Sequence, residues 1–158
     1  MTVAYDIATS AIAATMVGNE FAVAAFVHPQ LMRLARQPHA QAAAPLASSL
    51  GKWMPLWYGA ALALILGAAF QHRAEPHSLG LLLASAILWI TTIAFTITSL
   101  VPINNRIAKM DPQDPYDCWF EDRIRWDRLH RIRVEVLIAA LLLLLAGLFI
   151  GNPASTVI

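Results

Sequence analysis

Residues 125–136, RWDRLHRIRVEV, place a histidine among charged side chains immediately before the apolar run LIAALLLLLAGLFI. At about 100° per residue, Asp127, His130 and Arg133 fall on one face of a helix. A histidine near a carboxylate can exchange a proton near neutral pH or bind a metal ion. His130 is therefore our first catalytic candidate, with Asp127 orienting its ring and Arg133 supplying hydrogen bonds. The alternative is a solvated charged face without chemistry.

More polar residues interrupt or flank other apolar stretches. Glu20 lies inside the first stretch, and a carboxylate there must be neutral, paired or next to water, which makes it a functional candidate. His28, eight residues later, lies about 12 Å further along the same helix. Asn104 and Asn105 follow the third stretch and offer amide donors, although asparagines there are commonly turn formers or helix caps.

The composition indicates the setting in which these residues act. Hydrophobic residues make up 58% of the 158 positions and charged residues 13%, against about 25% charged in soluble domains. The single Cys118 allows no internal disulfide. Phosphate-binding loops and nucleic-acid modules have no counterpart, so we expect the lipid bilayer and an apolar small molecule as partners rather than nucleic acid.

Apolar segments of about 17 to 25 residues predict membrane spans. We predict an all-α fold, an integral membrane four-helix bundle that forms one domain over residues 1–158. A further helix over about 116–133 should continue without a break into the fourth span. The predicted spans cover about 7–27, 53–70, 79–101 and 134–150.

Basic residues predict the orientation of the bundle. All eleven Lys and Arg residues except Arg73 lie in or beside the two loops that follow the first and third spans. Such residues collect on the cytoplasmic side. We therefore expect both termini outside the cytoplasm, in a multi-pass protein of a bacterial inner membrane. The polar candidates from all segments would then meet at the cytoplasmic end, where we expect Glu20, Asn104 and His130 to line one shared cavity.

Three segments carry a resemblance to a known family: GNEFAVAAFVHP, VPINNRIAKMDP and WDRLHRIRVEV. They resemble the signatures of a small four-helix membrane family that includes the anthrone oxygenases. The resemblance implies a membrane-embedded oxygenase that needs no organic cofactor and acts with dioxygen on an apolar aromatic or lipid-like substrate.

Simple acid–base chemistry is compatible with that activity. Oxidation of an anthrone begins with removal of a proton from its central ring carbon, which leaves an anion that dioxygen can attack. A general base and donors for the developing oxyanion are sufficient. His130 oriented by Asp127, or else Glu20, could be the base, and Asn104 and Arg133 could be the donors.

Two other functions remain open from the sequence. Glu20, His28 and His130 are ligand types for a transition metal, and histidine ligation of haem is a related possibility. Alternatively, the protein is a non-catalytic scaffold or transporter component, in which polar side chains and small residues hold helices together within one chain or in a homo-oligomer.

Overall fold

The protein is a bundle of long helices, with no strand in the part of the chain described by the computed structural model, residues 2–150. Met1 and residues 151–158, and with them the predicted C-terminal tail, lie outside the described residues. The elements are α1 (Thr2–Ala22), a π-helical turn (Val23–Val27), α2 (His28–Leu31), α3 (Arg36–Gln71), α4 (Pro76–Phe95), a second π-helical turn (Thr96–Leu100), α5 (Val101–Lys109) and α6 (Trp119–Ile150).

Four continuous helical segments are long and apolar enough to cross a membrane, which confirms the predicted fold class. They are Val3–Leu31, Arg36–Gln71, Pro76–Lys109 and Trp119–Ile150. At 1.5 Å per residue the second is about 54 Å long, well beyond the roughly 30 Å of a hydrocarbon core. The bundle therefore extends past the apolar layer, at the end that holds the starts of α3 and α6 together with α5; we call this the basic end.

Helix α3 begins 17 residues before the predicted second span, which was expected to start at Trp53. The sequence from Arg36 to Lys52 lies in the predicted loop between the first two spans. Alanine is the strongest helix former, and the alanines of this segment favour helix over loop. Ala43 and Ala47 are buried against Leu100 and Ile107, so tertiary packing holds the segment in place.

The third span does not end at Pro102, as the sequence suggested, but continues through α5 to Lys109. Proline cannot donate a backbone hydrogen bond, and its ring clashes with the carbonyl four residues earlier in an α-helix. The π-helical turn relieves that clash, because the N–H of Val101 bonds to the carbonyl of Thr96, five residues back. The first span uses the same arrangement before Pro29, where the N–H of His28 bonds to the carbonyl of Val23.

Helices α4 and α6 form the closest helix pair through small residues, as membrane helices commonly do. The Ser78 hydroxyl donates to the carbonyl of Gly147 at 2.8 Å, and that of Ser85 donates to the carbonyl of Ala140 at 2.7 Å. A β-carbon at Gly147 would lie 2.9 Å from Leu82, so glycine is required for this approach. The pair supplies a rigid wall opposite α3.

The connection from α5 to α6 is fixed by charged side chains at the basic end. Arg106 donates two hydrogen bonds of 2.8 Å to Asp122, and the Tyr116 hydroxyl donates a third at 2.8 Å. Burial and the bond to Asp122 raise the pKa of Tyr116 to about 12, so its phenol stays protonated. Helix α6 begins at Trp119, close to the predicted start near residue 116, and continues unbroken into the fourth span.

Candidate functional site

A cavity of about 350 Å³ lies inside the bundle, between α1, α3, the segment from α4 to α5, and α6. Its walls are mainly apolar, and most of its polar side chains are gathered around Glu20, which we call the polar end of the cavity. Apolar cavities of this size with a few convergent polar groups commonly bind small molecules. The residues that line the cavity include Asn19, Glu20, Gly51, Met54, Pro55, Tyr58, Gly59, Thr96, Ile97, Val101, Asn104, Trp126 and Arg133.

Both π-helical turns border this cavity. Val23 lies in the first turn, and Thr96, Ile97 and Leu100 lie in the second. A π turn widens the backbone locally and is frequent at functional sites. The prolines that impose these turns therefore also shape the cavity wall.

Glu20 is the centre of the polar end. Its side chain is 3% exposed, and side chains of two other helices contact it. The Tyr58 hydroxyl of α3 donates to Oε1 at 3.0 Å, and the Arg133 guanidinium of α6 donates to Oε2 at 2.6 Å. A second Arg133 nitrogen lies 3.4 Å from the hydroxyl of Thr96. A carboxylate has about four acceptor sites, so Glu20 keeps capacity for a substrate proton.

His130 lies behind Glu20 and Arg133 and is not among the residues that line the cavity. It is fully buried, and its Nδ1 is 2.8 Å from Arg133 and 3.4 Å from Oε2 of Glu20. A guanidinium only donates, so Nδ1 accepts this bond and the neutral ring carries its proton on Nε2. That Nε2 is buried without a hydrogen-bond partner among residues 2–150.

The position of Asp127 one helical turn from His130 predicts that Asp127 orients the His130 ring. In the structure Asp127 has other partners and does not orient His130. Its Oδ1 lies 3.4 Å from Nδ1 of His28, and its Oδ2 accepts a bond of 2.9 Å from Arg131. One Arg123 nitrogen lies 2.8 Å from Nε2 and 3.2 Å from Nδ1 of the His28 ring. The reason is helix rotation, since the first π turn brings His28 to the face of α6 that carries Asp127. Asp127, His28 and Arg123 thus form a second polar layer.

Trp126 joins the two layers. Its ring stacks on both His28 and His130, with ring centres 4.5 Å apart in each case. The same indole lines the cavity. The Trp126 ring separates the second polar layer from the cavity, so His28 and Asp127 do not line the cavity.

Asn104 lines the same cavity as Glu20 and Arg133, whereas its neighbour Asn105 is exposed. The Asn104 amide donates to the carbonyl of Ala47 in α3 at 2.9 Å. This bond fixes the side chain and leaves a second N–H and a carbonyl oxygen for a ligand. Of the predicted site residues, Glu20, Asn104 and Arg133 meet at the cavity, and His130 supports them from behind.

The metal hypothesis has no support in this geometry. No group of three or more His, Cys, Asp or Glu side chains could hold a metal ion in the described part of the chain. The acceptor nitrogens of His28 and His130 are taken by Arg123 and Arg133. A guanidinium in that position both occupies the lone pair and repels a cation.

Sequence reasoning missed two residues of these layers. Tyr58 donates to Glu20 and is 5% exposed, and its signal was a phenol in the middle of an apolar span. Arg123 was counted only as a loop charge, although its spacing of three and seven from Trp126 and His130 puts it on their face. His39 and His72 had no predicted partners; His39 packs edge-on against Trp119, and His72 contacts Asp6.

A model of a family described as anthrone oxygenase matches residues 49–143. The matched segment contains Tyr58, Asn104, His130 and Arg133, and begins after Glu20. Comparisons with curated proteins and with solved structures give no match.

Proposed function

Because the matched segment covers more than half of the 158 residues, the protein belongs to the anthrone oxygenase family, and we propose that it oxidises an apolar aromatic compound with dioxygen. The observation that carries this proposal is the apolar cavity that ends on Glu20, Arg133 and Asn104. Apolar walls suit fused aromatic rings, and the polar end suits the proton transfer and the oxyanion that such an oxidation requires.

Glu20 is the base that the geometry favours, because it lines the cavity and His130 does not. Glu20 accepts a proton from the CH2 group opposite the ketone of an anthrone. The electron pair of that C–H bond delocalises onto the ketone oxygen. N–H groups of Asn104 and Arg133 stabilise this oxyanion, and they act strongly because little water reaches them.

Dioxygen is the oxidant and accepts the electrons of the substrate anion. A C–O bond forms at the former CH2 carbon, and the proton held by Glu20 returns to the peroxide oxygen. Loss of the remaining C–H proton breaks the O–O bond, forms the second C=O group and releases water. One oxygen atom therefore enters the quinone and the other leaves as water, without an organic cofactor.

Oxidation of anthrone by the detergent-purified protein tests the proposal. We expect anthraquinone formation and dioxygen uptake above the protein-free rate, with one atom of ¹⁸O from labelled dioxygen in the product. Glu20→Gln should reduce the rate to background, whereas Glu121→Gln, an exposed carboxylate on α6, should not. A wild-type rate equal to that of Glu20→Gln would reject the oxygenase and favour the scaffold function.

We propose that the basic end lies in the cytoplasm and both termini lie outside it, in a bacterial inner membrane. The distribution of Lys and Arg supports this orientation. A reporter fused after residue 158 should be active only outside the cytoplasm. A fusion that is active only in the cytoplasm would reverse the orientation and move the polar end of the cavity to the outer face.

A further inference from the structure

The α3 wall of the cavity contains a stripe without long side chains. Gly51, Pro55 and Gly59 line the cavity from α3 at a spacing of four residues, which puts them on one stripe of the helix. All three are also classed as exposed rather than buried. Residues that face both an internal cavity and the surroundings mark an opening.

The other side of this opening is formed by the segment from α4 to α5. Ile97 and Val101 line the cavity and are 60% and 36% exposed. They are four residues apart and lie across from the α3 stripe. The opening is therefore a slit between α3 and the second π-helical turn, bordered by apolar groups.

The width of the slit changes along its length. At Gly51 a β-carbon would lie 3.0 Å from the Asn104 amide nitrogen, so the helices are in close contact there. At Gly59 a β-carbon would meet no atom within 4 Å. The slit is closed beside Asn104 and open beside Gly59, the neighbour of the Tyr58 that donates to Glu20.

The open part of the slit lies at the depth of the hydrocarbon. Lys52 and Trp53 follow Gly51, and the Lys52 amine lies 5.6 Å from the Trp53 ring centre, an arrangement typical of a membrane interface. Gly59 lies eight residues from Gly51, about 12 Å further along the helix, within an apolar stretch. A molecule that enters beside Gly59 comes from lipid and not from water.

We infer that the substrate enters from the bilayer through the slit between α3 and the α4-to-α5 segment, and that Gly59 sets the width of this entrance. The inference rests on the proposed function and adds the route and the residue that selects for neutral, flat molecules. A charged derivative cannot use the route, because the hydrocarbon excludes it. The aromatic rings of the substrate pass Gly59, and the polar edge of the substrate then reaches Glu20 and Asn104.

Binding of anthraquinone to the protein in lipid nanodiscs, followed by tryptophan fluorescence quenching, tests the route without catalysis. Gly59→Phe should weaken binding by about tenfold or more, since the ring fills the entrance. Gly80→Phe is the matched control, because Gly80 is also an exposed helical glycine with open space around its β-carbon, away from the cavity. Anthraquinone-2-sulfonate should bind wild-type protein about tenfold more weakly than anthraquinone.

Equal anthraquinone binding by the two glycine variants, or binding of the sulfonate as tight as that of anthraquinone, would overturn the inference. If Gly59→Phe does not yield folded protein, Ile97→Trp narrows the slit from its other wall and should have the same effect. Turnover separates this inference from the proposed function. Anthrone oxidation that is unaffected by Gly59→Phe rejects the route alone, whereas Gly59-dependent binding without oxidation rejects the oxygenase alone.

Discussion

Two contacts between a histidine and a carboxylate occur at opposite ends of the bundle, and they differ in what surrounds them. At one end, His72 Nε2 lies 3.2 and 3.1 Å from the two oxygens of Asp6, which joins the start of α1 to the residue after α3. In the half of the bundle toward the basic end, Glu20 contacts His130, Tyr58 and Arg133 from two other helices. The first contact ties two helix ends together, and the second concentrates proton acceptors and donors.

The groove beside Asp6 and the cavity beside Glu20 also differ in their surroundings. Asp6 borders a groove of about 520 Å³ that is lined only by α1 and α6, and its wall residues Ile7 and Phe149 are 64% and 66% exposed. Glu20 borders a cavity enclosed by residues of all four spans. A histidine–carboxylate pair is thus a weak indicator of a site by itself. Enclosure and a converging cation distinguish the candidate site.

Removal of the Glu20 charge should have the largest effect on activity. We expect Glu20→Gln to lower kcat for anthrone oxidation by about 10²- to 10⁴-fold, the usual contribution of a general base. Asp6→Asn makes the same chemical change at the other pair and should leave kcat unchanged. Similar losses in both variants would mean that the two pairs act alike and that neither is specific to catalysis.

Arg133→Met should cause the largest loss of stability. It leaves Glu20 buried without its cation, which costs on the order of 3–5 kcal/mol. Arg131→Met is the control, because the 52% exposed Arg131 forms a surface pair with Asp127 and should contribute about 1 kcal/mol or less. Combining Arg133→Met with Glu20→Gln should restore part of the stability without restoring activity. Additive losses in the double variant, measured by unfolding in detergent, would contradict a coupled pair.

Substitutions of His130 should separate proton transfer from positioning. We expect His130→Ala to lower kcat by about 100-fold, because Arg133 loses the acceptor that holds it in place. A glutamine oxygen can accept that bond, so His130→Gln should retain clearly more activity than the alanine variant. Equal loss in both, together with a changed pH profile, would instead support His130 as the base, as the sequence suggested.

The smallest effect is expected at the Asp6 and His72 pair. Asp6→Asn should lower the unfolding free energy by about 1 kcal/mol, since the asparagine oxygen can still accept a hydrogen bond from His72. His77→Gln, at an exposed histidine of α4, should have no effect on thermal unfolding. A loss as large as that of Arg133→Met would show that the Asp6–His72 contact and the contacts of Glu20 contribute equally to stability.

Much of the bundle and part of the site follow from the sequence. The four apolar segments, the continuous last helix and a cavity shared by Glu20 and Asn104 were predicted. The expectation that His130 also lines this cavity was wrong, because its ring is buried behind Glu20 and Arg133. Helix ends were wrong where prolines were interpreted as terminators, because a π turn lets a helix continue past proline. The expectation that Asp127 orients His130 was also wrong. Spacing along α6 identifies the residues that share a face of that helix, but it cannot show that His28 of another helix lies next to Asp127.

The sequence by itself determined that the chain forms membrane-spanning helices and carries its polar groups toward one end. Length and hydropathy are properties of each segment alone, and they suffice because lipid forces every backbone group into a helix. Only the tertiary structure decided which polar groups meet. The rotation and depth of each helix set the distances between side chains, and two π turns and small-residue packing fix them. For that reason Tyr58 reaches Glu20 and His130 remains behind it.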